Sequence, residues 1–160
     1  MTAIQRIDQQ MIKALSAQAK ENPRLRKNLN FHANNEASCH RLLNALEPGT
    51  YVQPHCHLAA DKDETLVVVA GCIGVLIFDV VGAVQQSLVL APASECFGIH
   101  IPCGTFHSMV ALSSGSVFFE AKAGPYVAIT ESERAVWAPA EGDPAALDYL
   151  HTMLSYFVIA

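Results

Sequence analysis

Two histidines one residue apart, His55 and His57, close the stretch GTYVQPHCH that runs from Gly49 to His57. In an extended strand alternate side chains share a face, so the two imidazoles point one way and Cys56 the other. Neutral imidazoles this close together form a chelate for a divalent metal. A closed structural zinc site draws more often on thiolates, yet none of the five cysteines (Cys39, Cys56, Cys72, Cys96, Cys103) falls in a CxxC pair. Their odd number argues against a disulfide framework, so they read as reduced thiols that fill space.

Further donors must come from neighbouring strands. Glu64 opens the next strand beyond the polar loop LAADKDE, and His107 begins a later one just after the turn PCGTF. Three imidazoles and one carboxylate on a divalent ion leave a net charge of about +1, and open positions on a metal that takes five or six ligands. That composition suits a reactive or ligand-binding centre, with iron, manganese, nickel or zinc as the ion. Glu120 and Lys122 share a strand face with Phe118, opposite Val117, Phe119 and Ala121. If the second face is outside, the pair reaches the cavity as an acid/base candidate; otherwise it is an exposed ion pair contributing under about 1 kcal/mol. Tyr51, Arg26 and Asn28 are further candidates for ligand contact, with Arg41 behind them. Cations near a positive centre favour an acidic or polyhydroxy small molecule. His32, His40, His100 and His151 lack comparable surroundings and read as ordinary histidines, with His100 facing out between Ile99 and Ile101.

The elements that would position these groups are short strands. The pattern predicts strands over 37–50, closed by Pro48-Gly49, and over Tyr51–His57, Thr65–Ala70, Cys72–Val80, Ser87–Leu90, Phe97–Ile101, His107–Leu112 and 116–124. Turn signals every 8 to 12 residues mark an all-β sandwich or barrel. Before them, Ile4, Ile7, Met11, Ile12 and Leu15 recur at helical spacing between Ala3 and Lys20, and Asn22-Pro23 stops the pattern. RLRKNLNFHANN suits an edge strand placing Arg24, Arg26, Asn28, Asn30 and His32 on one face, read as a solvated edge. At the other end Asp143-Pro144 opens a helix with Leu147, Leu150 and Leu154 as its stripe. The division is 1–22 for the helix, 23–128 for the barrel and 129–160 for an arm and second helix.

At 160 residues, 51% hydrophobic and 16% charged, the chain is one domain with a substantial core. A net charge of −5 without a basic run gives no footing for nucleic acid. The apolar run Leu66–Phe78 is shorter than the roughly 18 to 20 residues of a membrane span and is broken by Gly71 and Gly74, so it reads as two buried strands. MTAIQRIDQQ mixes charges where a signal peptide needs an apolar stretch, which makes the cytoplasm the expected compartment.

These motifs carry a resemblance. Gly49, His55-x-His57, Glu64 and Gly71 resemble the first cupin motif, and Pro102-x-Gly104-x-x-His107 the second. With Arg26-Lys-Asn28, Pro54-His55, Phe106-His107, Glu120-x-Lys122-x-Gly124-Pro125-Tyr126 and Trp137-x-Pro139-x-Glu141-Gly142, most of the chain looks like the WbuC family of small cupin metalloproteins. The resemblance implies a mainly β fold: one cupin barrel, a double-stranded antiparallel β-helix or jelly roll, with an N-terminal and a C-terminal helix. It also implies one divalent metal on His55, His57, Glu64 and His107, a homodimer, and a link to O-antigen and other surface-polysaccharide genes. The loop after His57 is longer than the usual cupin spacing and offers Asp61 and Asp63 as rival carboxylates; Glu64 is preferred because it keeps the six-residue step to Gly71. Two functions stay open: a metal-dependent enzyme, of isomerase, epimerase or oxygenase type, and a non-catalytic module that holds a small ligand.

Overall fold

The computed structural model describes residues 4–157. Helix α1 (Gln9–Glu21) precedes eight strands, β1 (Arg26–Asn30), β2 (Cys39–Leu46), β3 (Glu64–Ala70), β4 (Ile73–Phe78), β5 (Val84–Leu90), β6 (Gly98–Ile101), β7 (Phe106–Ala111) and β8 (Ser116–Ala123), and helix α2 (Ala146–Ser155) follows. The strands form an antiparallel five-stranded sheet in the order β1-β2-β8-β3-β6 and a three-stranded one in the order β5-β4-β7. This is the single cupin jelly-roll barrel with two added helices that the resemblance implies.

Apolar clusters lie between the sheets and outside each of them, which accounts for the apolar composition. Between the sheets Leu66, Val68, Ile73, Val75, Leu90 and Phe118 pack into one cluster. Outside the larger sheet, Ile12, Leu15 and Ala19 of α1 cover Leu43, Ala45 and Val117. Outside the smaller sheet, Leu150 and Met153 of α2 cover Leu76, Phe78 and Val110. The chain crosses from one sheet to the other at Gly71, whose φ of +71° and close approach to the Ser116 backbone exclude a side chain.

Several expectations are corrected. Ile4 and Ile7 lie before α1 and are exposed, because Asp8 accepts a hydrogen bond from Met11 N (3.0 Å) and starts the helix at Gln9. Ala3 lies outside the described residues. Tyr51–His57 is not a strand: Pro54 has no N–H for a ladder, and the segment keeps only isolated bridges from His55 to His107 and to Arg134. β1 is an edge strand, yet Arg26 and Asn28 line a cavity instead of a solvated face. On α2, Leu147 is exposed and Ala146 and Met153 take the buried places, because the helix begins at Ala146, after the turn made by Asp143 and Pro144. Val158, Ile159 and Ala160 of the apolar tail lie outside the described residues.

Candidate metal centre

His107 is the inward residue at the start of β7, and its backbone clasps the histidine segment: His55 N donates to His107 O (3.1 Å) and His107 N to His55 O (2.9 Å). A second clamp comes from the arm after β8, where Cys56 N donates to Glu133 O (2.8 Å) and Ala135 N to Pro54 O (3.0 Å). Glu133 also closes a capping box with Thr130 and accepts from Leu58 N (2.9 Å); these hydrogen bonds, first those of Thr130 and then Leu58, pull its carboxyl down to about 2. Thus a segment without a ladder of its own is fixed from two sides.

The result is a convergent set. One ring nitrogen from each of His55, His57 and His107 lies within 4.8 Å of the other two, and this group could hold a metal ion. Nδ1–H of His55 donates to Gln53 O (2.9 Å) and Nδ1–H of His107 to Thr105 O (2.9 Å). A carbonyl only accepts, so both rings carry their proton on Nδ1 and turn a lone pair inward from Nε2. His57 Nε2 and His107 Nε2 are buried with no hydrogen-bond partner. Buried polar atoms are nearly always satisfied, so two such nitrogens with only the Glu64 carboxylate beside them fit a centre that holds a cation. Burial, then the neighbouring His107, lowers the His55 pKa to about 4 and keeps the ring in its neutral, ligating form.

Glu64, at the start of β3, reaches into the same space. Its Oε1 is 2.9 Å from His57 Nε2 and its Oε2 3.5 Å from His107 Nε2. Lys122 Nζ holds Oε1 at 2.9 Å and lies 2.5 Å from Glu120 Oε1, so one ammonium serves two carboxylates. Burial opposes the charge on Glu64, but His107, His57 and Lys122 outweigh it and keep the carboxylate ionised far below its usual range. Burial also raises the Glu120 pKa against the pull of Lys122, while Asn44 Nδ2 donates to Glu120 Oε2 at 2.7 Å. Lys122 moves upward from its ordinary value: desolvation works against its charge, and Glu120 and then Glu64 overcome it. Asp61 and Asp63 are exposed, and Asp63 faces His100 at 3.6 Å.

Above the centre a cavity of about 780 Å³ opens, with His55, His107, Glu64, Glu120 and Lys122 in its wall. Arg26 and Asn28 join that wall from β1, and Arg26 pairs with Glu141 and donates to Tyr51 O (2.9 Å). Tyr51 itself does not line it: its hydroxyl donates to Pro139 O (2.7 Å) and its ring packs edge-on against Tyr149. Arg41 is exposed, on the side of β2 opposite Leu42. His40 is buried and stacks on His32, with ring centroids 3.9 Å apart. Sequence reasoning missed Asn44, Gln53 and Arg134. Asn44 was recoverable, since Leu42, Asn44 and Leu46 alternate inward on β2; Arg134 sits on an arm with no periodicity to read.

Residues 7–90 match a family model described as a domain of unknown function (DUF6016). No curated protein matches the chain. Among solved structures, KdgF from Halomonas sp. is 19% identical with a TM-score of 0.50, over 66% of this chain and 84% of that one. The conserved protein SPY1581 from Streptococcus pyogenes, of unknown function, is 12% identical with a TM-score of 0.52, over 79% and 93%. At these identities the likeness is one of fold.

Proposed function

As this chain belongs to the DUF6016 family, whose description assigns no activity, we propose a function from the site: a metal-dependent enzyme acting on a small oxygenated substrate such as a sugar or sugar acid. The observation that carries this reading is the convergence of the His55, His57 and His107 ring nitrogens, with His55 and His107 in the wall of a cavity large enough for such a molecule. His55, His57 and His107 would hold one divalent ion, with Glu64 as the fourth donor. The ion would supply Lewis acidity and a lowered pKa for bound water.

The chain's own residues divide the remaining work. Lys122 neutralises Glu64 and keeps it deprotonated for ligation. Glu120, raised by burial and reached by both Lys122 and Asn44, is the group suited to hold or move a proton at its Oε1. Arg26 and Asn28 face the substrate from β1. The likeness to WbuC proteins supports a place in surface-polysaccharide biosynthesis in the cytoplasm. The same likeness supports a homodimer, checked by a solution mass of two chains.

The test is metal content by elemental analysis of protein purified gently with iron, manganese, nickel and zinc supplied. About one ion per chain is expected, lost by more than about 100-fold in affinity in His57→Ala with the barrel still folded. A wild type without metal overturns the centre, and unfolding of the variant makes the ion structural. Turnover of candidate sugars and sugar acids that Glu120→Gln abolishes while metal content stays unchanged identifies an enzyme. Ligand binding without turnover identifies a binding module instead.

A further inference from the structure

Four cationic side chains and three carboxylates line the cavity. Three of the cations are already matched. Glu141 accepts from both Arg24 and Arg26, and Lys122 lies between Glu64 and Glu120. Arg134 is different: among the described residues it makes no ion pair, and its guanidinium gives one long hydrogen bond, to Ile129 O at 3.3 Å. Its backbone is held firmly, bridged to His55 and followed by the bond from Ala135 N to Pro54 O. The side chain therefore starts beside one of the converging histidines and enters the cavity wall with most of its donors free.

We propose that Arg134 is the anchor for the anionic head, a carboxylate or phosphate, of the molecule whose remaining oxygens face the imidazoles. This rests on the reading of the cavity as a substrate site and narrows it from oxygenated molecules in general to organic anions. A planar guanidinium with a free fork matches an oxyanion with two parallel hydrogen bonds, which a neutral hydroxymethyl group cannot return. An excess of cations over carboxylates in the wall, to which a divalent ion would add, draws an anion in and penalises a second cation. Because the Arg134 side chain is exposed, it adds little to folding and can be replaced without loss of the barrel.

The experiment compares three ligands built on one ring: glucuronate, glucose 6-phosphate and glucose. Calorimetric titration into metal-loaded wild type should give at least a tenfold preference for one or both anions over glucose. Arg134→Gln should reduce that preference to about twofold or less with metal content unchanged, and Arg134→Lys should keep an intermediate value. Preference for the uronate alone marks a carboxylate head, and for the ester alone a phosphate head. Equal or undetectable binding of all three by wild type, or a preference that survives in Arg134→Gln, overturns the proposal. Metal content separates the two readings: a protein that keeps its ion but shows no Arg134-dependent preference loses only this inference, whereas a protein without metal loses the centre itself.

Discussion

The two ends of the barrel are built by the same strands and differ in what the inward positions carry. β3 runs inward through Val68 and Leu66 to Glu64, β7 through Ala111 and Met109 to His107, and β8 through Phe118 and Glu120 to Lys122. The alternation is unbroken in all three, so the backbone does not register where the core stops and the site starts. At the apolar end, burial drives folding at roughly 25 cal/mol per Å². At the charged end each ionised group has lost water, and pairing only offsets that cost. The first end supplies the stability that lets the second hold imidazoles and carboxylates close together inside the barrel.

That contrast can be broken by substitution. Ile73→Ala, deep in the apolar end, should lower stability by about 4 kcal/mol in denaturant unfolding and leave metal content per folded chain unchanged. Lys122→Met should cost about 3 kcal/mol at neutral pH, because Glu64 and Glu120 then face each other without the shared cation. The deficit should shrink as the pH falls and a carboxylate takes up a proton. If Lys122→Met is neutral, the charged end contributes nothing to the fold. If Lys122→Met matches Ile73→Ala, the division between the ends fails.

Acid sharpens the same comparison. His55 binds its proton at about 4 in the folded chain against 6.5 ordinarily. Between those values the unfolded chain holds a proton that the folded one lacks, so stability falls as pH drops from 6.5 and the loss is complete below 4. About 3 kcal/mol should disappear from the metal-free protein over that window, read by unfolding at fixed pH steps, and His55→Gln should flatten the slope. Metal-loaded protein should hold out to lower pH, since the ion competes with the proton for the same nitrogens. The smallest effect belongs to a place remote from both ends: Asp8→Ala removes the cap of α1 and should cost about 1 kcal/mol with no change at the site.

Much of the fold was legible because turn residues and period-two alternation punctuate the chain regularly. The errors fall where periodicity gives way to a tertiary clamp. Tyr51–His57 reads as a strand from its alternation, but its prolyl residue removes the ladder and its geometry comes from His107 and from the arm at Glu133 and Arg134. Tyr51 reads as a ligand contact, while its hydroxyl goes to Pro139 O, a partner 88 residues away. Asp61, Asp63 and Glu64 are indistinguishable as carboxylates along the chain. Only the start of β3, where Glu64 opposes Lys122 in register, aims Glu64 at the imidazoles.

By itself the sequence determined the strand alternation, the helix stop at Asn22-Pro23 and the donor types at His55, His57, Glu64 and His107, because these rest on local backbone preference and on side-chain chemistry. Tertiary structure alone decided the tautomers, through the carbonyls of Gln53 and Thr105, and the sharing of Lys122 between two carboxylates. It alone also decided which cation was left unmatched, because pairing of charges depends on which strands and arms meet in space.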